Sequence, residues 1–283
     1  MPEISHPTSY PLFRAWLGML VWRQRAGLGD RSDQLRNVVS LRLDNDECIA
    51  EAFIQNIRHE LYASEKTIQV TDFGAGTRGS VLSSESKPDE RRIRDIYKRA
   101  AASPAWGRFL FRLVRALKPG HVLELGANLG VSALHIAAAL EINKREGRLT
   151  TIEGDPTLSE IARANLARLG HECRATVLTG RFDDVLPTCV EEHGPFDLVF
   201  IDGHHEEAAT LRYFDIVTPH LSPGACVAFD DIEPFQPVRK AWKQILGNEP
   251  NSGTVDLLGI GLWFAPLDVP DKESDAKGRA VVQ

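Results

Sequence analysis

Between about residues 119 and 266, short apolar runs of strand length alternate with longer segments of helical periodicity. This alternation is typical of a parallel sheet whose crossover connections are helices. The predicted helices lie near residues 131–145, 157–169, 206–220 and 235–246. The predicted parallel strands are His121–Leu125, Arg148–Ile152, Ala175–Leu178, Asp197–Ile201 and Ala225–Phe229. We therefore expect an α/β fold built around this sheet.

The last two apolar runs depart from this pattern. Thr254–Leu258 and Gly261–Ala265 are separated by only two residues, which is too short for a parallel crossover but suits an antiparallel hairpin. The sheet is therefore expected to end in a C-terminal antiparallel hairpin. Residues 267–283 are polar and lack periodicity, so we expect a disordered tail there.

The residues ahead of the sheet are expected to form an N-terminal helical cap. Apolar residues recur at helical spacing over residues 32–64 and 89–117, and a short strand is predicted at Thr67–Thr71. Leu12–Trp22 is amphipathic, and it is too short and too polar to cross a membrane. We expect this helix to pack on the body of the protein or on a second copy, which would make a homodimer.

Composition narrows the class of protein. The formal net charge is −6, although residues 78–118 alone carry +7. Nucleic-acid binding depends on Lys and Arg that neutralise phosphates, so no nucleic-acid partner is expected, and the basic stretch is interpreted as a solvated helical face. The four cysteines show no Cys-x-x-Cys spacing, which argues against a zinc ribbon or a disulfide scaffold. Together with the absence of a secretory-signal pattern, this predicts a cytoplasmic protein.

The most informative local sequence is VLELGANLG at residues 122–130, where a predicted strand runs into a glycine turn and then a helix. Glycines let the backbone approach a ligand closely, and the start of the helix offers unpaired N–H groups. A dinucleotide fingerprint would need glycines where this chain has Asn128 and Val131. The turn therefore predicts a ligand site, but not one for a nicotinamide or flavin dinucleotide.

Three aspartates follow two of the predicted strands. Asp202 follows Asp197–Ile201, and Asp230 and Asp231 follow Ala225–Phe229. Ligands of open α/β sheets bind at the carboxyl ends of the strands. Clustered carboxylates repel one another unless a proton or cation compensates, and an all-oxygen set suits Mg²⁺, Mn²⁺ or Ca²⁺. The alternative is that Asp202 only borders a ligand while Asp230 and Asp231 cap the next helix.

The motif Glu124-x-Gly126-x-x-x-Gly130 resembles the opening motif of the class I S-adenosylmethionine-dependent methyltransferases. Their fold is a Rossmann-like, mostly parallel seven-stranded sheet that ends in an antiparallel hairpin, which agrees with the hairpin expected here. The resemblance implies an N-terminal cap at residues 1–94, a methyltransferase domain at 95–266 and the tail at 267–283. It also implies S-adenosyl-L-methionine as the cofactor.

The resemblance further implies which residues contact the cofactor. The glycine turn would line the methionine part, and Glu153, 23 residues beyond Gly130, would accept hydrogen bonds from the ribose hydroxyls. The segment after the third strand resembles the part that borders adenine, where Phe182 either stacks on the base or belongs to the core. The implied cofactor residues are Glu124, Gly126, Ala127, Asn128, Gly130, Glu153, Gly180, Arg181, Phe182 and Asp202.

The spacing of 28 residues between Asp202 and Asp230 is similar to the metal triad of catechol, caffeoyl-coenzyme A and macrocin-type O-methyltransferases. That similarity implies Asp202, Asp230 and Asp231 as metal ligands. In the catechol-type families a basic residue three places after the first metal ligand deprotonates the hydroxyl, and His205 holds that position. An imidazole suits this work. The choice of base stays open between His205 and His204, and a structural role for both is the alternative.

The sequence therefore predicts methyl transfer from S-adenosylmethionine to an oxygen of a small-molecule hydroxyl acceptor, with or without a divalent metal. Asp202, His204 and His205 are the predicted catalytic residues. Two alternatives are a metal-independent N- or O-methyltransferase and a protein that binds S-adenosylmethionine without catalysing and acts through partner contacts of Leu12–Trp22.

Overall fold

A computed structural model of the chain describes residues 10–25, 28–29, 31–71, 73, 88–144, 146–170, 174–233, 236–248 and 253–267. The described residues ahead of the main sheet are mainly helical, and two of their strands pair as a small antiparallel sheet. Its elements are α1 (Tyr10–Gln24), α2 (Arg31–Val39), α3 (Asn45–Ala63), β1 (Thr67–Val70), β2 (Asp89–Arg92), α4 (Ile93–Ala100) and α5 (Pro104–Leu117).

The main sheet has seven strands in the order β5-β4-β3-β6-β7-β9-β8. The five strands from β5 to β7 are parallel, and β9 is antiparallel to both β7 and β8. The predicted sheet with its C-terminal hairpin is therefore confirmed. Its elements are β3 (His121–Leu125), α6 (Val131–Ile142), β4 (Arg148–Glu153), α7 (Pro156–Ala167), β5 (Ala175–Thr179), α8 (Phe182–His193), β6 (Phe196–Ile201), α9 (Glu207–Val217), β7 (Leu221–Phe229), α10 (Pro237–Asn248), β8 (Gly253–Asp256) and β9 (Gly261–Phe264).

Some local predictions were wrong. The helical spacing predicted over residues 89–117 holds for α4 and α5 but not for Asp89–Arg92, which pairs with β1 as a strand. Ser103 caps α5 just before Pro104, a residue that does not allow a preceding helix to continue. The helical spacing over residues 32–64 is confirmed by two helices, α2 and α3, and Asp44 caps the start of α3. α8 was not predicted because it contains Pro187, and proline is unfavourable in the interior of a helix.

The division of the chain at residues 1–94, 95–266 and 267–283 stays a prediction. The boundary after residue 94 falls inside α4, and residues 268–283 of the expected tail lie outside the described residues. Among the described helices, none is long and apolar enough to span a membrane.

The first helix packs directly on the sheet. α1 buries Phe13, Leu17 and Val21 in the same apolar cluster as α5 and β9. The side-chain amide of Gln24 pairs with the backbone of Asp256 in β8, donating to its carbonyl at 2.9 Å and accepting from its N–H at 2.8 Å. α1 therefore covers backbone groups of an edge strand that could otherwise pair with another chain. Trp22 is exposed on the outer face of this helix, and the homodimer stays a prediction.

The sequence had suggested that the basic stretch is a solvated helical face, but three of its arginines form ion pairs with buried carboxylates instead. Arg112 contacts both carboxylate oxygens of Glu47, at 2.6 and 2.8 Å, and Arg115 donates to the same carboxylate at 2.8 Å. Arg108 pairs with Glu51 at 3.2 Å. Glu47 is only 1% exposed. These contacts join α5 to α3, so the positive charge of α5 holds the N-terminal helices on the sheet.

Candidate active site

The site lies at the carboxyl ends of β3 and β6, which are neighbours in the sheet although β4 and β5 extend from β3 in the other direction. This reversal of strand order is where open α/β sheets form a ligand crevice. A cavity of about 1600 Å³ opens there. Ligand cavities usually measure about 300–1,000 Å³, so this cavity is larger than the usual range. Predicted site residues that line it are Gly126, Asn128, Glu153, Arg181, Phe182, Asp202, His204, His205, Asp230 and Asp231.

The glycine turn after β3 is shaped by close backbone packing. Gly126 has a φ of +106°, and a Cβ at this position would lie 1.8 Å from the carbonyl oxygen of Asp202. Gly130 has a φ of +81° and begins α6, where a Cβ would lie 3.0 Å from Cα of Ala162. Only glycine satisfies both conditions. Gly126 therefore lets β3 and β6 approach at the cavity, whereas Gly130 lets α6 approach α7.

Glu153 ends β4 with its carboxylate held by two backbone donors. The N–H of Asn128 donates to Oε2 at 2.7 Å, and the N–H of Asp155 donates to Oε1 at 2.9 Å. Burial raises the pKa of Glu153, and these two hydrogen bonds oppose that rise. The side chain is thus oriented before any ligand arrives, and the free lone pairs of its oxygens can accept from hydroxyl donors.

The aspartates that follow β6 and β7 form a coupled group with His205. Burial, together with the neighbouring carboxylates, raises the pKa of both Asp202 and Asp230, and their side chains share a hydrogen bond. One ring nitrogen of His205, Nε2, lies 3.8 Å from Oδ1 of Asp202, and the other, Nδ1, lies 3.6 Å from Oδ2 of Asp231. The first Lys or Arg residues that follow Asp231 along the chain are Arg239 and Lys240. In the structure Arg239 pairs with Asp256 instead, and His205 lies between the carboxylates.

His204 is held in a different environment from His205. Its Nδ1 lies 2.8 Å from the hydroxyl oxygen of Tyr213, and its Nε2 lies 3.8 Å from Oε2 of Glu206. Its side chain is 12% exposed, compared with 38% for His205. Burial lowers the pKa of His204. The two histidines, open alternatives in the sequence, therefore have different surroundings, and His205 is the more accessible of the two.

The remaining predicted residues are divided between the cavity wall and the layer behind it. Phe182 packs on Gly203, meets the ring of Tyr213 edge-on at 5.6 Å, and also faces the cavity. Glu124 is fully buried behind the glycine turn, where burial raises its pKa to about 7 and the hydroxyls of Thr151 and Ser132 oppose the rise. Those that do not line the cavity are Glu124, Ala127, Gly130 and Gly180.

The three aspartates do not assemble as a ligand set in this arrangement. Asp202 and Asp230 are hydrogen-bonded to each other, whereas Asp231 faces His205. Across the described residues, no three His, Cys, Asp or Glu side chains are grouped closely enough to hold one metal ion. In this arrangement the three carboxylates do not form a metal site, so a cation could bind only after these side chains rearrange, and the metal triad stays a prediction.

The structure also brings N-terminal residues into the cavity that sequence reasoning missed. Thr71 and Phe73 lie beside the end of β4, and Trp106 of α5 and Phe13 of α1 form an aromatic part of the wall, with ring centroids 5.2 Å apart. Thr71, Trp106 and Phe13 belong to no motif, whereas Phe73 lies in the glycine-rich sequence DFGAGT at residues 72–77, which is not followed by a Glu-ended second strand at the interval a cofactor motif requires. Their place is decided by how the N-terminal helices and β1 fold over the sheet.

Comparison with known proteins agrees with this geometry. Residues 123–232 match the methyltransferase domain family. A catechol O-methyltransferase of Niastella koreensis is 35% identical over 133 residues, or 47% of this chain. The match spans only 58% of that relative's own length, and the same share of a catechol O-methyltransferase of Mycobacterium tuberculosis that is 36% identical.

One relative is covered more fully. A protein of Mycobacterium sp. (strain JLS), whose name assigns it to the O-methyltransferases, is 35% identical over 183 residues, which are 59% of this chain and 80% of the relative.

Solved structures are similar over the same region. The O-methyltransferase from Bacillus cereus, in complex with SAH (S-adenosylhomocysteine), is 25% identical with a TM-score of 0.51, and the match covers 59% of this chain and 83% of that one. The O-methyltransferase TomG from Streptomyces achromogenes, in complex with SAM, is 27% identical with a TM-score of 0.50 and covers 59% and 82%. The fold, the cavity and these relatives together show that this chain belongs to the class I S-adenosylmethionine-dependent O-methyltransferases.

Proposed function

We propose that this chain transfers the methyl group of S-adenosylmethionine to a hydroxyl oxygen of a small molecule, with His205 as general base. The observation that carries the proposal is the accessible ring of His205 between Asp202 and Asp231, in the same cavity as Glu153 and the glycine turn. A general base must reach the proton that it removes. The space beside His205 is where the acceptor hydroxyl would lie.

The chemistry assigns a task to each part of the site. S-adenosylmethionine supplies an electrophilic methyl group when it is bound. The new O–C bond forms as the C–S bond breaks, the bonding pair stays on sulfur, and His205 takes the hydroxyl proton. Asp231 would stabilise the imidazolium that results, because its Oδ2 lies 3.6 Å from Nδ1 of the ring, and Asp202 lies beside the other ring nitrogen. Holding donor and acceptor in line supplies much of the remaining rate.

The experiment that tests this proposal measures binding and turnover separately. SAH binding is measured by calorimetry, and the protein is then incubated with S-adenosylmethionine and a panel of catechols, phenols, aliphatic alcohols and amines. Mass spectrometry identifies the methylated atom. O-methylated products support the proposal. Transfer only to nitrogen would favour the N-methyltransferase alternative, and binding without any product would favour the non-catalytic one.

Glu153→Ala is expected to weaken SAH binding by about ten- to a hundredfold. The ribose hydroxyls would lose a charged acceptor, and a charge-assisted hydrogen bond contributes about 1.5–3 kcal/mol. Calorimetric titration measures the effect. Glu160→Ala, an exposed position on the neighbouring α7, is the matched control and should bind SAH like the wild type. Equal affinity in the Glu153 variant would remove this residue from the proposed cofactor site.

A divalent cation held by Asp202, Asp230 and Asp231 is the second candidate for activating the acceptor. The observation that favours it is that the three aspartates line the same cavity, where burial first and the neighbouring carboxylates second raise the pKa of Asp202 and Asp230. A cation would stabilise the charged forms of these carboxylates. When bound, a divalent ion lowers the pKa of a hydroxyl that it contacts. Its ligands would have to move from the present arrangement to surround it.

If His205 alone is the base, turnover is expected to continue in excess EDTA at close to the rate in buffer. The reason is that no step assigned to the chain's own residues needs an ion. Initial rates with EDTA, and after adding back Mg²⁺ or Mn²⁺, measure this directly. If EDTA lowers turnover more than a hundredfold, and added Mg²⁺ restores it in the wild type but not in Asp230→Asn, the metal-assisted reaction is established instead.

A further inference from the structure

An aromatic ring from the N-terminal part of the chain packs against the end of β4. A Cβ at Gly154 would lie 2.7 Å from Cδ2 of Phe73, so the ring occupies the space that any larger side chain at residue 154 would need. Gly154 directly follows Glu153, and all three residues line the same cavity. Phe73 therefore lies beside the residue proposed to bind the ribose.

The segment that carries Phe73 is anchored to the same corner of the site. The backbone N–H of Thr71 donates to Oδ2 of Asp155 at 2.7 Å, while Oδ1 of that carboxylate accepts from the N–H of Leu158 at 2.9 Å. Asp155 is buried. Because its N–H also holds Glu153, one aspartate positions both the ribose acceptor and the chain that leads to Phe73.

We propose that Phe73 forms an apolar wall of the adenosine subsite, so that the N-terminal segment completes the cofactor site. The inference rests on the proposed function. A ligand whose ribose is held by Glu153 places its base or its sulfur arm next to Gly154, where the Phe73 ring lies, and both Phe73 and the apolar Leu158 line the cavity. A flat heteroaromatic base is the part of the cofactor that such a surface binds well, through burial and contact with the ring.

The pairing of a small residue with a large one gives this proposal a specific energetic signature. Gly154→Ala should disturb binding in the wild type, because the new methyl group would push the Phe73 ring aside. In a Phe73→Ala background the same methyl group has room. The two substitutions are therefore expected to be non-additive, as is usual for residues in direct contact.

The test is calorimetric binding of two probes, SAH and 5′-methylthioadenosine, to the full chain. The second probe keeps the adenosine and lacks the amino-acid part. Phe73→Ala is expected to weaken both by the same factor, about tenfold, whereas Phe73→Tyr should bind both normally. Tyr62→Ala, at an exposed aromatic position on α3 outside the cavity, is the matched control and should have no effect.

The outcomes separate this proposal from the function on which it rests. If the wild type binds neither probe, the proposed function fails. If the wild type binds both and Phe73→Ala binds them equally well, the role of Phe73 is overturned. A loss for SAH alone would overturn the adenosine assignment, because the ring would then contact the amino-acid part. If the loss of affinity in the double variant equals the sum of the losses for Phe73→Ala and Gly154→Ala, the contact between the two residues is contradicted.

Discussion

His205→Ala is expected to lower kcat by about 10²–10⁴-fold, the usual contribution of a positioned general base, while SAH affinity stays unchanged. The ring of His205 contacts Asp202 and Asp231 at the acceptor side of the cavity, so its removal takes away the proton acceptor without touching Glu153 or the glycine turn. Steady-state rates together with calorimetric SAH binding measure the two effects. Because the ring is 38% exposed, added imidazole should restore part of the rate.

Two control variants make this result specific. His59→Ala changes an exposed histidine on α3 and should leave kcat unchanged. His204→Ala removes the partner of the Tyr213 hydroxyl, so it is expected to alter binding or stability more than the proton-transfer step. A His205 variant with kcat within threefold of the wild type, and no response to imidazole, would show that the proton leaves by another route.

Glu47→Ala is expected to lower the free energy of unfolding by about 3 kcal/mol, toward the lower end of the range for breaking a buried ion pair. The variant leaves Arg112 and Arg115 without their shared carboxylate and removes half of the capping box that starts α3. Both arginines are about one-fifth exposed, so water replaces part of what they lose. Urea unfolding followed by circular dichroism measures the change.

The control for Glu47 lies on the same helix. Glu60 pairs with Arg168 at 2.8 Å, but both side chains are exposed, and exposed pairs contribute little to stability. Glu60→Ala should therefore leave the unfolding midpoint nearly unchanged. Similar losses for both variants would mean that the buried network between α3 and α5 is not what holds the N-terminal helices in place.

Much of the main sheet could be predicted because its signals are local. Each parallel strand is an apolar run between turn residues, and the short link before Gly261–Phe264 leaves room only for a hairpin. The glycine turn was also readable, since Gly126 and Gly130 occur where the backbone has positive φ. Strand ends moved by only a few residues, because fraying and pairing decide them.

Other elements had no local signal. β2 has the sequence DERR, with no alternation of apolar residues, and it is a strand only because β1 lies beside it. The arginines of α5 look like a solvated face until α3 brings Glu47 and Glu51 against them. In both cases the decisive partner is distant along the chain, and local periodicity carries no information about it.

The sequence by itself therefore determined the fold family and the strand ends from which the site is built, because carboxyl ends of parallel strands must meet at one edge of a sheet. Only the tertiary structure decided how those residues face one another. In that structure Asp202 is hydrogen-bonded to Asp230, His205 rather than His204 lies between carboxylates, and Phe73 packs against Gly154. The physical reason is that side-chain direction and the packing of a remote segment depend on contacts across the whole chain, whereas a strand end depends on a few neighbouring residues.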